Sequence, residues 1–214
     1  MGGRNIVLAT GEYYHIFNRG IARQPVFFAK RDYDRFVLAL SYYRFVQAPV
    51  RLSRLLQLTS DIRDSLLLDL QQRNEKYIDI ISYSLMPNHF HMLLKQNQDK
   101  GISIFMSKFI NSYTRYINTK NERQGDLFAG VFKAVHIETD EQLIHLSRYI
   151  HLNPLVSLIV KKEQLTSYPW SSLPDYLRGK SSMIDVSLIL DHFKSVEEYD
   201  NYVFDQAEYG RKLE

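Results

Sequence analysis

The hydrophobic pattern of the chain switches from a period of two residues to a period of 3.6 and back, and turn or capping residues separate the segments. The predicted elements are strands at 13–18, 77–85, 89–95 and about 132–138, and helices at about 33–47, 102–118 and 141–152, the last stopped by Pro154. Their order predicts an α+β fold of the ferredoxin-like split β-α-β type. We expect a four-stranded antiparallel sheet with the helices packed on one face.

Two segments do not belong to this β-α-β order of elements. Residues 48–75 read as a helical insertion between the first helix and the second strand, with a helix start at Ser60. Residues 173–214 form an acidic, less periodic C-terminal extension that contains one further helix at about 196–204. We therefore assign residues 1–172 to one domain and 173–214 to an extension, and the sequence indicates no role for either added segment.

Composition narrows the class of protein. The chain has 214 residues, of which 45% are hydrophobic and 24% charged, as in an ordinary globular domain. No run of residues is apolar enough to span a membrane, and the apolar run near the N-terminus is too short for a secretory signal. The absence of cysteine excludes disulfides, thiolate metal sites and cysteine nucleophiles. We expect a cytoplasmic protein with no membrane partner.

Charge is unevenly distributed along the chain. Residues 1–60 carry nine Lys or Arg against three Asp or Glu, whereas residues 181–214 carry three against eight, within a total of +3. A basic body suits a protein that binds a polyanion, because each neutralised phosphate releases counterions. Charge that serves only solubility gives a similar balance, so this pattern alone does not decide between the two.

The segment His89-Phe90-His91 is the strongest local signal. Side chains alternate between the two faces of a strand, so both histidines point the same way, about 6–7 Å apart, and can converge on one cation. The alternative is a pair of histidines with ordinary hydrogen-bond partners. A histidine-triad hydrolase is excluded, since position 93 is Leu93.

The predicted third helix carries a second signal. His145, Tyr149 and Asn153 are spaced by four residues and form a polar stripe on an otherwise apolar helix, while His151 points elsewhere. A tyrosine oxygen beside a two-histidine metal site is able to attack a phosphodiester. Tyr113 and Tyr116 on the second helix compete for this role.

Several stretches together resemble the single-tyrosine transposases with a His-hydrophobic-His (HUH) motif, in their REP-associated branch. They cover about residues 13–172 and comprise Tyr14-His-Ile-Phe-Asn-Arg-Gly20, Tyr83-Ser-Leu-Met-Pro-Asn-His-Phe-His-Met-Leu-Leu94, Gly125-Asp-Leu-Phe-Ala-Gly-Val-Phe-Lys-Ala134, Arg148-Tyr-Ile-His-Leu-Asn-Pro154 and Tyr168-Pro-Trp-Ser-Ser172. The resemblance implies a ferredoxin-like fold, a divalent metal (Mg²⁺ or Mn²⁺) and a transposase that cleaves and rejoins single-stranded DNA through a 5′-phosphotyrosine.

The resemblance also implies roles for individual residues. His89 and His91 match the metal-binding histidines, and Tyr149 matches the nucleophile. Asn153 stands where the family places the third metal ligand, a position at which some members have Gln. His145, one turn before Tyr149, is a candidate for assisting removal of the phenol proton, because an unperturbed phenol has a pKa near 10.

We expect single-stranded or hairpin DNA as the partner, bound by a monomer or a homodimer. The basic candidates for contacting it are Arg19, Arg23, Lys30 and Arg31 near the end of the first strand, and Arg115, Lys120 and Arg123 at the end of the second helix. Two other functions remain open: a non-catalytic single-stranded nucleic-acid-binding module of the same fold, and a metal-dependent phosphodiesterase that uses water as its nucleophile.

Overall fold

The computed structural model describes residues 6–205. Its strands are β1 (Tyr13–Arg19), β2 (Ile78–Met86), β3 (His89–Gln96) and β4 (Lys133–Ile137). Its helices are α1 (Lys30–Tyr43), α2 (Leu52–Leu55), α3 (Ser60–Arg73), α4 (Gly101–Lys120), α5 (Asp140–Val156), α6 (Lys162–Leu165), α7 (Leu173–Leu177), α8 (Ser187–Leu190) and α9 (Val196–Phe204). Within residues 6–205, no helix combines the length and the apolar character that crossing a bilayer requires.

The four strands form one antiparallel sheet in the order β2-β3-β1-β4, which confirms the predicted α+β fold with a split β-α-β core. β1 lies inside the sheet and pairs with β3 on one side and β4 on the other. Phe17 of β1 stands opposite His91 of β3 and Lys133 of β4. This register places the N-terminal strand beside the His-Phe-His segment.

Helices cover both faces of the sheet, so the expectation that they pack on one face was wrong. Phe36 of α1 packs against Phe90 with ring centroids 5.3 Å apart, while Tyr149 of α5 lies against His91, whose side chain points to the opposite face. The reason is the composition of β2, which is buried at all but one of its positions. A strand that is apolar on both sides needs a cover on both sides.

The last helix of the core, α5, does not stop at Pro154 but continues to Val156. The expected stop was wrong because Pro154 removes only one backbone hydrogen bond, close to the end of the helix. The next turn is held by the Ser157 N–H, which donates to the Asn153 carbonyl at 2.8 Å, and by Leu155, which is 1% exposed. Asn153 is thereby kept on the helix that also carries Tyr149.

The start of α1 depends on Asp32, which is fully buried. Its carboxylate accepts hydrogen bonds from the backbone N–H groups of Phe28 and Ala29, each at 3.0 Å, so the helix begins earlier than predicted. The same carboxylate accepts from Tyr116 at 2.9 Å and pairs with Lys120 at 2.7 Å. Asp32 therefore joins α1 to α4 on one face of the sheet.

Opposing effects set the protonation of Asp32. Burial acts to raise the pKa of its carboxyl, but the hydrogen bonds from Lys120, the Phe28 N–H and Tyr116 outweigh burial and bring the pKa below its ordinary value. The stability that this group contributes is therefore present above the carboxyl pKa of the unfolded chain, near 3.9, and is lost as the pH falls below it.

We predict that Lys120→Met lowers the free energy of unfolding by about 3 kcal/mol, because it leaves the buried Asp32 carboxylate without its ion partner. Urea unfolding at pH 7 measures the change. Lys30→Met is the matched control: Lys30 pairs with Asp34 in an exposed ion pair, so its removal should change little. Equal losses in the two variants would contradict this role of Asp32.

Candidate active site

His89 and His91 lie on the sheet face that α5 covers, on the same side of β3 as predicted, with ring centroids 5.3 Å apart and planes nearly perpendicular. They follow a tight hairpin in which Met86 pairs with His89, so only Pro87 and Asn88 separate β2 from β3. The short hairpin fixes the position of His89 with respect to the end of β2.

Asn88 orients the His89 ring. Its side-chain oxygen lies 2.6 Å from Nδ1 of His89. An amide oxygen can only accept, so Nδ1 of His89 carries the hydrogen and Nε2 keeps a free lone pair. The amide nitrogen of Asn88 donates to the Arg23 carbonyl at 3.1 Å, and its backbone carbonyl accepts from the Gly20 N–H at 2.7 Å. The turn after β1 thus holds the residue that orients His89.

Gly20 is required in that turn. A Cβ at this position would clash with the Gln24 carbonyl, so a larger residue would push the turn away from Asn88.

His91 is oriented by His15 of β1. Nε2 of His15 lies 2.8 Å from Nδ1 of His91, and the two rings are stacked with centroids 5.0 Å apart. A hydrogen bond at Nδ1 fixes the tautomer and the direction of the other ring nitrogen.

All three imidazoles are held in the neutral form. Burial lowers the pKa of His15 to about 4. Burial and then the charge of Arg19 lower the pKa of His89 to about 4, although a hydrogen bond with Asn153 opposes this shift. For His91, burial followed by the proximity of His15, His89 and Arg19 lowers the pKa to about 3. A neutral imidazole is the form that binds a metal ion.

Tyr149 and Asn153 enter the same site from α5. Tyr149 is 50% exposed, and its ring meets His91 edge-on at 5.5 Å and His15 at 6.0 Å between centroids. Asn153, one turn later on the helix, is buried, and its side chain is close enough to affect the pKa of His89. The structure therefore brings together the four residues that the sequence placed in the metal and nucleophile roles.

His145 lies against a different neighbour. Its Nδ1 is 2.7 Å from the guanidinium of Arg148 and 3.2 Å from the hydroxyl of Tyr202 on α9. Four residues turn a helix by 400°, so each residue of the predicted stripe is rotated by about 40° from the one before it. His145 is therefore turned away from the direction in which Tyr149 points. Assistance by His145 in proton removal stays a prediction, and its contacts belong to the packing of α5 on α9.

The sequence reading missed His15. It lies on the same face of β1 as Phe17 and Arg19, because every second residue of a strand points the same way. In a split β-α-β sheet the first strand lies beside the third. The predicted strand order, combined with the alternation of side chains along β1, could therefore have indicated that His15 lies close to His91.

The basic candidates fall in different parts of the structure. Arg19 is exposed at the end of β1 and stands opposite His89. Lys120 is committed to Asp32, and Arg123 donates to the Asn118 side chain at 3.3 Å. Arg115 is exposed on α4, in the helix layer on the other face of the sheet from Tyr149. The remaining three, Arg23, Lys30 and Arg31, are exposed between β1 and the first turn of α1.

A family model, that of the IS200-like transposases, matches residues 39–153, which is more than half of the chain. The chain belongs to the IS200-like transposase family. The matched range contains His89, His91, Tyr149 and Asn153, so the family resemblance predicted from the sequence is confirmed.

One solved structure supports the fold of this IS200-like transposase, and a second was matched at a much lower TM-score. A REP-associated tyrosine transposase bound to a REP hairpin is 16% identical with a TM-score of 0.56, and the alignment covers 87% of this chain and 93% of that one. A candidate transposase from Deinococcus radiodurans is 14% identical with a TM-score of 0.29, over 70% of this chain and 95% of that one. No curated protein matches the sequence.

The donor set fits a divalent cation. His89 and His91 offer neutral imidazoles whose Nδ1 atoms are already occupied, and Asn153 adds an amide beside His89. Within residues 6–205 no cluster of three or more His, Cys, Asp or Glu side chains is suited to a metal ion. An ion held by His89, His91 and Asn153 would take its remaining ligands from oxygen atoms of water or substrate. Imidazole favours Mn²⁺ and oxygen ligands favour Mg²⁺, so either ion suits the set.

We predict that the rings of His15, His89 and His91 stay neutral in the metal-free protein at pH 5.5. Long-range ¹H–¹⁵N spectra between pH 7 and 4 measure this, with the urea-unfolded chain as the control that titrates near pH 6.5. Because the unfolded chain then binds more protons than the native state, stability should fall as the pH falls from 6.5 towards 4. Titration of any of these rings near pH 6.5 in the folded protein would contradict this.

Proposed function

We propose that this transposase is a metal-dependent single-stranded DNA transesterase that cleaves and rejoins DNA through a 5′-phosphotyrosine intermediate. The observation that carries the proposal is the position of Tyr149. Its ring is half exposed and rests on His91, and Tyr149 shares a rigid helix with Asn153, whose side chain is close enough to affect the pKa of His89. A nucleophile and a metal ligand on one helix have a fixed relative geometry, which lowers the cost of aligning the reacting groups.

His89, His91 and Asn153 would hold the ion, Mg²⁺ or Mn²⁺. When bound, the cation offsets negative charge on the scissile phosphate. His15 and Asn88 keep the two imidazole rings turned so that their Nε2 atoms are available. Arg19, opposite His89 and exposed, adds positive charge where the DNA backbone would enter.

The chemical step belongs to Tyr149. Its phenol oxygen attacks phosphorus in line, a new P–O bond to the tyrosine forms, and the bond from phosphorus to the 3′ oxygen breaks. The phenol proton leaves to water, and the departing 3′ oxygen takes up a proton to become a hydroxyl. In the reverse sense, a 3′-hydroxyl from another strand end attacks the phosphotyrosine and gives up its proton. The bond from phosphorus to the Tyr149 oxygen breaks and the phenol regains a proton, so strands are rejoined without an external energy source.

Hairpin-forming repeats are the substrate we propose. The support is the solved transposase of the same fold, which is bound to a REP hairpin.

We predict that Tyr149→Phe abolishes covalent attachment to DNA while leaving the unfolding free energy nearly unchanged, since the ring stays and only a half-exposed hydroxyl is lost. The measurement is a denaturing gel of protein incubated with 3′-labelled single-stranded repeat DNA and Mn²⁺, because the fragment that stays on the tyrosine is the one on the 3′ side of the cleaved bond. Tyr116→Phe is the matched control: the Tyr116 hydroxyl is committed to Asp32, and adduct formation should persist. Tyr113 is fully buried with its hydroxyl on the Val26 carbonyl, which argues against it as nucleophile.

Each alternative to the proposal has its own outcome on the gel. An adduct in Tyr149→Phe but not in Tyr116→Phe would move the nucleophile to α4. Cleavage without any adduct in the unmodified protein would favour water as the nucleophile, and binding without cleavage would favour a non-catalytic module.

We predict that His15→Phe weakens Mn²⁺ binding roughly 10- to 100-fold, because His91 loses the partner that fixes its tautomer. Electron paramagnetic resonance of free Mn²⁺ measures the dissociation constant without reference to cleavage. His15→Gln restores an amide that can hydrogen-bond Nδ1 of His91, so it should recover part of the affinity. Unchanged Mn²⁺ affinity in His15→Phe would show that His15 does not position His91.

A further inference from the structure

A cleft of about 780 Å³ opens between α4 and the first part of the insertion. One wall is the chain from Ala48 to Ser53, and the other is the exposed side of α4 from Lys108 to Lys120. Tyr43 and Tyr116 also line it. Because α4 packs on the sheet face opposite to Tyr149, this cleft is separate from the candidate active site.

The insertion wall is anchored. The Tyr42 hydroxyl donates to the Val50 carbonyl at 2.7 Å, and the Leu52 N–H donates to the Tyr43 hydroxyl at 3.1 Å. The Tyr43 hydroxyl is also 3.2 Å from the hydroxyl of Ser112 on α4, which links the two walls. Leu52 and Leu55 are fully buried beneath the segment. The cleft is therefore a built feature of the fold and not a gap beside a loose loop.

The lining is basic. Arg51, Lys108, Arg115 and Lys120 line the cleft, and no Asp or Glu does so in the part of the chain that the structure describes. Lys120 pairs with Asp32, and Lys108 donates to the Tyr77 hydroxyl at 3.3 Å. The guanidinium groups of Arg51 and Arg115 have no hydrogen-bond or ion-pair partner among residues 6–205. Two guanidinium groups on facing walls are thus available to a ligand.

We infer that this cleft binds the phosphate groups of a DNA strand, as an anchoring site remote from the cleaved bond. A guanidinium matches a phosphate with two parallel hydrogen bonds, and the neutral polar side chains of Ser53, Asn111 and Ser112 add further hydrogen-bonding groups. The volume lies within the range of roughly 300–1,000 Å³ that holds small ligands, so it accommodates nucleotide units. The inference rests on the proposed function only for its choice of DNA as the source of the phosphates.

The test compares two double variants that each remove two positive charges. Arg51→Gln with Arg115→Gln alters the cleft, whereas Arg63→Gln with Arg73→Gln alters α3 outside it, where each arginine has an acidic neighbour. Binding of a labelled single-stranded repeat oligonucleotide is measured in EDTA at several salt concentrations, so that no cleavage occurs. Each single-strand phosphate contact contributes about 0.7 to the slope of log affinity against log salt.

We expect the cleft variant to lose about 1.4 from that slope, which corresponds to roughly 25-fold weaker binding at 0.1 M salt, and the control to change little. Equal behaviour of the two double variants would overturn the inference. ATP, titrated in parallel, distinguishes the source of phosphate: if only ATP binding depends on Arg51 and Arg115, the site takes free nucleotides and the DNA assignment fails.

The proposed function fails on a different measurement, the absence of a covalent adduct in the unmodified protein with Mn²⁺. A slope that differs between the cleft variant and its control would uphold the anchoring site even then. The two conclusions are therefore separable.

Discussion

Helix α5 covers only part of one face of the sheet, and the edge of the covered part determines the position of the candidate active site. α5 packs on β2 and β3, whose apolar positions require burial on both faces, and it leaves much of β1 and β4 open on that side. Val135 of β4 is 50% exposed, and Lys133 beside it is exposed as well. The histidines therefore lie at the line where a buried surface meets an open one. That position removes most water from the rings while leaving a path for a DNA strand.

Burial at this line has a consequence for the two histidines. A charged imidazole would be unfavourable there, so both rings are neutral, and a neutral ring still needs a partner for its N–H group. Asn88 accepts from Nδ1 of His89 at 2.6 Å, and the rings of His15 and His91 share a hydrogen bond of 2.8 Å. These hydrogen bonds involve buried ring nitrogens and also fix the orientation of both rings beside Tyr149 and Asn153. Folding and preparation of the site are thus served by the same contacts.

The strands and the helix pattern could be predicted because each depends on short-range periodicity. β3 was predicted at 89–95 and is observed at His89–Gln96. The presence of helices on both faces of the sheet and the continuation of α5 past Pro154 depend on tertiary packing. The periodicity of the sequence contains no information about that packing. His15 was missed for a related reason: its role exists only because β1 pairs with β3 in one register, and a shift of one residue would turn it to the other face.

The C-terminal part of the chain is coupled to the helix that carries Tyr149. His151, fully buried on α5, is 2.7 Å from the Tyr199 hydroxyl of α9 and 2.7 Å from the Ser172 hydroxyl. Ser172 in turn accepts from the Tyr83 N–H of β2, and Tyr199 also meets Ser147 of α5 at 2.9 Å. The network therefore crosses the boundary drawn from sequence between residues 172 and 173. Because an unpartnered buried polar group is costly, every member resists displacement of the others. The extension thereby belongs, in physical terms, to the scaffold that keeps Tyr149 over His91.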